Sequence, residues 1–164
     1  MRASLAFLLV ASYLLLGCQN YDITFNDRVI VGAQPLFTDY GVTDPALEQC
    51  LRQQSIDRDV RAASQLTALV CTNAGIESLT GLAVFAGLEQ LKLSDNRIRN
   101  LVELGQLSEL VSVELNGNQI IDSVPLSTLG KLEQLNLEGN SELQCSGLER
   151  FNKRVYIAAP THCQ

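Results

Sequence analysis

The sequence has no tryptophan, one histidine, one methionine, four prolines and few aromatic residues of any kind. A single histidine, His162, leaves little material for a Ser-His-Asp or Cys-His constellation. It sits in the C-terminal tail beside Cys163, so catalysis is not expected of it. Charge is sparse, at 18% of residues, and the formal net charge is −6, with no run of lysine or arginine. A nucleic-acid partner, which calls for a basic face, is therefore not expected. No glycine-rich phosphate loop occurs. Apolar residues make up 46% of the 164, too many for a disordered chain and enough for one domain with a modest core.

One long apolar run is present, and it comes first. Residues 1–17 carry Arg2, an apolar stretch from Ala3 to Leu16, and Gly17. That is the layout of a secretory signal, too short to span a bilayer as a permanent helix, which takes roughly 20 residues. A plain signal cut near Gly17, or a short anchor, would account for the composition alone. The tetrapeptide Leu15-Leu16-Gly17-Cys18 resembles a bacterial lipobox. That resemblance implies a lipoprotein whose first mature residue is a lipidated, palmitate-bearing Cys18. Several acyl chains make a stable anchor where one does not. Gln19 rather than Asp after the cysteine resembles outer-membrane sorting, so the expected location is the bacterial cell envelope, lipid-anchored at the outer membrane.

Cysteine number agrees. Of Cys18, Cys50, Cys71, Cys145 and Cys163, lipidation removes one and leaves four. Four allow three pairings, and proximity in sequence favours Cys50–Cys71 and Cys145–Cys163. An exported address permits disulfides. No C-x-x-C or Cys/His spacing points to a metal, and no cofactor is expected.

Half of the chain is one phrase repeated. Leucines open it at Leu66, Leu88, Leu110 and Leu132, a constant period of 22. The second apolar column is Leu69, Leu91, Val113, Leu135, and the third is Cys71, Leu93, Leu115, Leu137. Asn96, Asn118 and Asn140 form an asparagine column, with Ala74 in the first phrase. Ile76, Ile98 and Ile120 follow, with Glu142 last. Each L-x-L alternation predicts a short strand with one buried face. One phrase cannot bury its leucines alone, whereas stacked phrases form a continuous core. The asparagines sit where the chain leaves the strand, placed to bond backbone in the bend and to form a ladder. The pattern over residues 66–143 resembles the leucine-rich repeat family in its 22-residue class, shared with bacterial internalins.

The expected fold is thus an α/β-type solenoid: a short array of about four 22-residue leucine-rich repeats with parallel strands and disulfide-bearing caps at both ends. Residues 44–65 form the N-terminal helical cap, with Asp44 as N-cap, Pro45 in the first turn and Leu47, Cys50 and Leu51 on one face of a helix over 44–54. Residues 144–164 form the C-terminal cap, with a short helix and a last strand near Val155–Ile157. Residues 18–43 carry the lipidated N-terminus and either a tether or a hairpin, YDITFNDRVIVG alternating around Asn26-Asp27.

Function is expected on the outward side of the strands. The columns there are Ala68, Gln90, Ser112, Gln134; Val70, Lys92, Glu114, Asn136; and Thr72, Ser94, Asn116, Glu138. From Gln90 onward they make up the candidate partner-binding set. Lys92 and Glu114 are placed to pair across strands. The strip offers no aromatic anchor, so either it holds a modest partner by itself or the contact includes the caps and the 19–43 segment, where Tyr21, Phe37 and Tyr40 sit. The resemblance implies a module that binds another protein; the residues supply no catalytic group, and a monomer that reaches the membrane through its lipid is expected. The alternative is an envelope structural or assembly factor that works through its caps and N-terminal segment.

Overall fold

The structure is a computed structural model that describes residues 23–25, 28–31 and 41–164. The expected signal at 1–17, Cys18, the Asn26-Asp27 turn and Tyr21, Phe37 and Tyr40 lie outside the described residues. The chain divides into two compact units, 1–35 and 36–164. In the first, β1 (Ile23–Phe25) and β2 (Arg28–Val31) pair antiparallel, Phe25 opposite Arg28 and Ile23 opposite Val31. No helix among the described residues is long and apolar enough to cross a membrane.

The second unit is a stack of one repeated turn. Five strands, β3 (Ala68–Val70), β4 (Gln90–Lys92), β5 (Ser112–Glu114), β6 (Gln134–Asn136) and β7 (Tyr156–Ala158), form one parallel sheet in chain order. Every pairing is offset by one repeat: Leu69 lies opposite Leu91, Leu91 opposite Val113, Val113 opposite Leu135, and Leu135 opposite Ile157. The short strands follow from L-x-L. Three residues extend, the middle one points in, and the asparagine turn ends the strand. Opposite the sheet the chain returns through short 3-10 helices at Leu82–Val84, Glu103–Gln106, Val124–Thr128 and Cys145–Arg150. Leu82, Leu104 and Leu126 point inward from them and are fully buried. Each buried leucine contributes roughly 1.5–3 kcal/mol, so the inward columns supply most of the driving force. Asn73, Asp95, Gly117 and Gly139 occupy one left-handed turn position. At Gly117 the left-handed φ favours glycine, and an added Cβ would lie 2.3 Å from the Asp95 carboxylate, which would have to swing aside.

The buried asparagines join neighbouring turns. Asn96 Oδ1 accepts from the N–H groups of Ala74 and Ile76, both at 3.0 Å. Its amide donates to the carbonyls of Cys71 (2.8 Å), Leu93 (2.9 Å) and Ser94 (3.2 Å). Asn118 accepts from Ile98 N–H and donates to the Leu93 and Leu115 carbonyls. Asn140 accepts from Ile120 N–H and donates to the Leu115 and Leu137 carbonyls. An amide suits the position because the bend presents both donors and acceptors, and only Asn offers both within so short a reach.

Helix α1 (Pro45–Asp57) covers the first turn. Its buried face, Leu47, Leu51 and Ser55, recurs every four residues and packs into the core. Asp44 caps it with one carboxylate oxygen: Oδ1 accepts from Ala46 N–H at 2.9 Å and Leu47 N–H at 3.0 Å. The second oxygen, Oδ2, accepts from Glu77 and Ser78 N–H at 2.9 and 3.0 Å. One side chain therefore both starts the helix and fastens it to the first repeat. The disulfide Cys50–Cys71 ties α1 to the end of β3, and Cys145–Cys163 closes the C-terminal cap. The latter spans 18 residues. Replacing both its cysteines with alanine should lower stability by about 3 kcal/mol in the chain-entropy account. Chemical denaturation checks this: an unchanged midpoint would show that the bridge restrains nothing in the unfolded chain.

Candidate functional site

Alternation along each strand turns two columns outward. Gln90, Ser112, Gln134 and Tyr156 stand in register in one, and Lys92, Glu114, Asn136 and Ala158 in the next. The first column begins at Ala68 and the second at Val70, which is exposed. The middle residues Leu91, Val113 and Leu135 are buried, so the face rests on a packed sheet. Lys92 Nζ lies 2.6 Å from Glu114 Oε1. Both side chains remain substantially exposed, and the pair contributes under about 1 kcal/mol. It leaves the centre of the strip nearly neutral.

The third column differs from the sequence expectation. Ser94 does not face solvent: it is buried, and its hydroxyl donates to Asn116 Oδ1 at 2.7 Å. The strand has already ended at Lys92, and the bend that positions Asn96 draws Ser94 inward. Asn116 is half-buried by the same contact, while Glu138 is exposed. The Asn136 side chain is partly engaged, since Oδ1 accepts from Glu138 N–H at 3.0 Å. Gln90, Lys92, Ser112, Glu114, Gln134 and Asn136 thus form the strip, with Glu138 at its margin.

The fifth strand adds what the four-strand reading lacked. Tyr156 is 73% exposed and ends the Gln90 column. Beside it is a recess of about 160 Å³, walled by Ser112, Glu114, Gln134, Asn136 and Tyr156 and floored by Val113 and Leu135. A signal for it was present: Tyr156 follows Gln134 by one period of 22, although the leucine opening its phrase is replaced by Arg154.

Other grooves are already matched in charge or chemistry. One of about 620 Å³, beside the first repeats, holds the Arg97–Glu77 ion pair, with Arg99, which pairs with Glu142, on its wall. Cys145, His162 and Cys163 bring their ligand atoms within 4.8 Å of one another. Both sulfurs are spent in the disulfide and offer no thiolate to a metal. His162 Nε2 lies 3.0 Å from the Leu143 carbonyl, which accepts its hydrogen, so the ring fastens the tail to the last repeat.

No protein-family model and no curated protein matches the chain. Among solved structures it is similar to an internalin (inlF) from Listeria monocytogenes str. 4b F2365. The two are 22% identical, with a TM-score of 0.61 over 72% of this chain and 36% of that one. An internalin C2 from the same strain is 24% identical, with a TM-score of 0.46 over 52% of this chain and 37% of the other. The chain spans little more than a third of the length of either structure. The likeness to inlF is one of fold: a short leucine-rich repeat solenoid, here closed by a disulfide at each end.

Proposed function

We propose that this leucine-rich repeat chain is a protein-interaction module of a bacterial cell envelope, held to the membrane by lipid at Cys18, that binds a partner protein through the outward face of its strands. The observation that carries this reading is Tyr156, a large exposed ring standing beside a small recess on a rigid, in-register sheet. Tyrosine is among the residues that dominate interface energetics, because it buries much area for little lost rotamer freedom. The glutamines and the Lys92–Glu114 pair around it supply orientation rather than affinity. The lipobox resemblance at Leu15-Leu16-Gly17-Cys18 supports the anchor, and the signal-like segment before it supports the envelope address.

A photo-reactive group introduced at Gln134 should cross-link the partner in intact cells, and Tyr156→Ala should weaken that partner's binding by more than about tenfold. Circular dichroism of the variant should be unchanged, since the ring is on the surface. Cross-linking that survives Tyr156→Ala and alanine changes at Lys92 and Glu114, but is lost on changes to α1 or to the N-terminal segment, would favour the assembly-factor reading instead. Intact mass of the membrane-extracted protein tests the anchor. A lipid-modified chain starting at Cys18 is expected, and an unmodified chain cut elsewhere would overturn it.

A further inference from the structure

The two edges of the five-stranded sheet are finished differently. Beside β3 lies α1, tied on by Cys50–Cys71, and Arg58 Nη1 donates to the Ala68 carbonyl at 2.5 Å. Beyond β7, among the described residues, there is no strand. One repeat earlier, the Glu133 carbonyl accepts from Tyr156 N–H and Leu137 N–H donates to the Ala158 carbonyl, both at 2.8 Å. The equivalent groups one turn on, the Val155 carbonyl and the Ala159 N–H, therefore point away from β6. The alternation of a parallel ladder turns both backbone groups of Ile157 the same way. Side chains are left short of cover too: Leu135 and Leu137 are buried, whereas Ile157 and Ala159 in the same columns are only half-buried.

Charge is sorted toward this edge. Residues 41–164 contain ten lysines and arginines. Six are in ion pairs: Arg52, Arg61, Lys92, Arg97, Arg99 and Lys131. A seventh, Arg58, is spent on the Ala68 carbonyl. The three that remain are Arg150, Lys153 and Arg154, all exposed and all immediately before β7. Residues 150–164 contain no acidic residue, within a chain of net charge −6.

We propose that the outer edge of β7 is a docking edge for an extended, acidic segment of a partner protein, which adds to the sheet as a sixth strand. Backbone bonds to Val155, Ile157 and Ala159 hold such a segment, and Arg150, Lys153 and Arg154 select its carboxylates. A second copy of this chain is the wrong occupant: its own three cations would be brought against these three, a standard guard against edge-to-edge self-association. This surface is separate from the outward strand face, and the proposal stands whether or not that face binds.

The test uses the full chain and a short synthetic peptide of alternating Val and Glu, compared with its Val–Lys counterpart and with a version N-methylated at alternate amides. Binding is followed by titration, and the edge by backbone amide exchange. The Val–Glu peptide should slow exchange at Ile157 and Ala159, and N-methylation should abolish its binding. Lys153→Glu combined with Arg154→Glu should weaken it by more than about tenfold and transfer the preference to the Val–Lys peptide. Three outcomes would overturn the proposal. Protection of the Ile157 and Ala159 amides in the free chain would mean that its own N-terminal segment or a second copy already covers the edge. Equal binding of the N-methylated peptide would reduce the contact to charge alone. Unchanged affinity after charge reversal would remove the cations from recognition. Amide exchange at Ile157 reports the edge alone, so failure here is distinguishable from failure of the strand-face reading.

Discussion

Asn96→Ala should lower folding stability by about 4 kcal/mol, while the same change at Asn118 should cost only about 1–2 kcal/mol. The difference lies in what each side chain leaves behind. Without Asn96 the N–H groups of Ala74 and Ile76 and the Cys71 carbonyl lose the amide that serves them. The Leu93 carbonyl keeps the Asn118 amide, and the Ser94 carbonyl keeps Asn73 N–H at 3.0 Å. A polar group left unpaired away from water costs roughly 1–3 kcal/mol; the Ile76 N–H and the Cys71 carbonyl are two such groups, and the N–H of exposed Ala74 adds less. When Asn118 is removed, the Leu93 and Leu115 carbonyls still receive the amides of Asn96 and Asn140, and only Ile98 N–H is orphaned. Asn96→Asp should be at least as damaging as alanine, because the new oxygen would face carbonyls. Urea denaturation of the variants decides the matter. Equal losses at Asn96 and Asn118 would mean that water replaces the amide at both and that the ladder is not what binds turn to turn.

Asp44→Ala should cost about 4 kcal/mol, roughly 1 for the helix cap and roughly 3 for the two charged bonds to the first repeat. Asp44→Asn separates the two arms. The asparagine oxygen still caps α1, but its amide hydrogens would meet the N–H groups of Glu77 and Ser78, donor against donor. Stability should fall by roughly 2–3 kcal/mol, with α1 still formed. Acidity probes the same site. Burial pushes the Asp44 carboxyl up, and the four backbone N–H donors outweigh it and hold it below its ordinary value of 3.8. A carboxylate depressed in the folded state adds stability that is fully present above its unfolded value and is lost as the pH falls through the folded one. The contribution of Asp44 should therefore persist at neutral pH and fade only below about pH 4. In Asp44→Asn that part of the acid slope should vanish. If variant and parent lose stability in parallel below pH 4, Asp44 is not the group responsible.

The inward columns were legible because stacking forces identity at a fixed interval: a polar residue at Leu91 or Leu135 would be buried with nothing to pair it. The N-cap of α1 was legible for a local reason, Asp44 standing one residue before a proline. Its second arm was not, because Glu77 and Ser78 lie more than thirty residues away and contribute backbone, which leaves no mark on side-chain pattern. The helix also runs to Asp57 rather than stopping at residue 54, since Ser55 and then Val60 continue the buried contacts. On the outward face, periodicity locates residues but not their exposure. Ser94 has the same place in its phrase as Glu138, yet it turns in to bond Asn116. Tyr156 lies in the last strand expected near Val155–Ile157, but its place in the outward column was hidden by the loss of the leucine that should announce its phrase, although the backbone keeps the 22-residue step there.

In the parallel sheet each strand pairing joins residues 22 apart, and the ladder's links between turns join residues 20 to 25 apart. Even the two disulfides span 21 and 18. Apart from the Asp44 clamp and the exposed Arg99–Glu142 pair, a turn of the repeat therefore waits for nothing beyond its immediate successor, and loop closure comes in equal, short steps. Such a chain can be laid down in order as it emerges from a narrow opening, each turn becoming the template for the next, with Asp44 and α1 already in place as the seed.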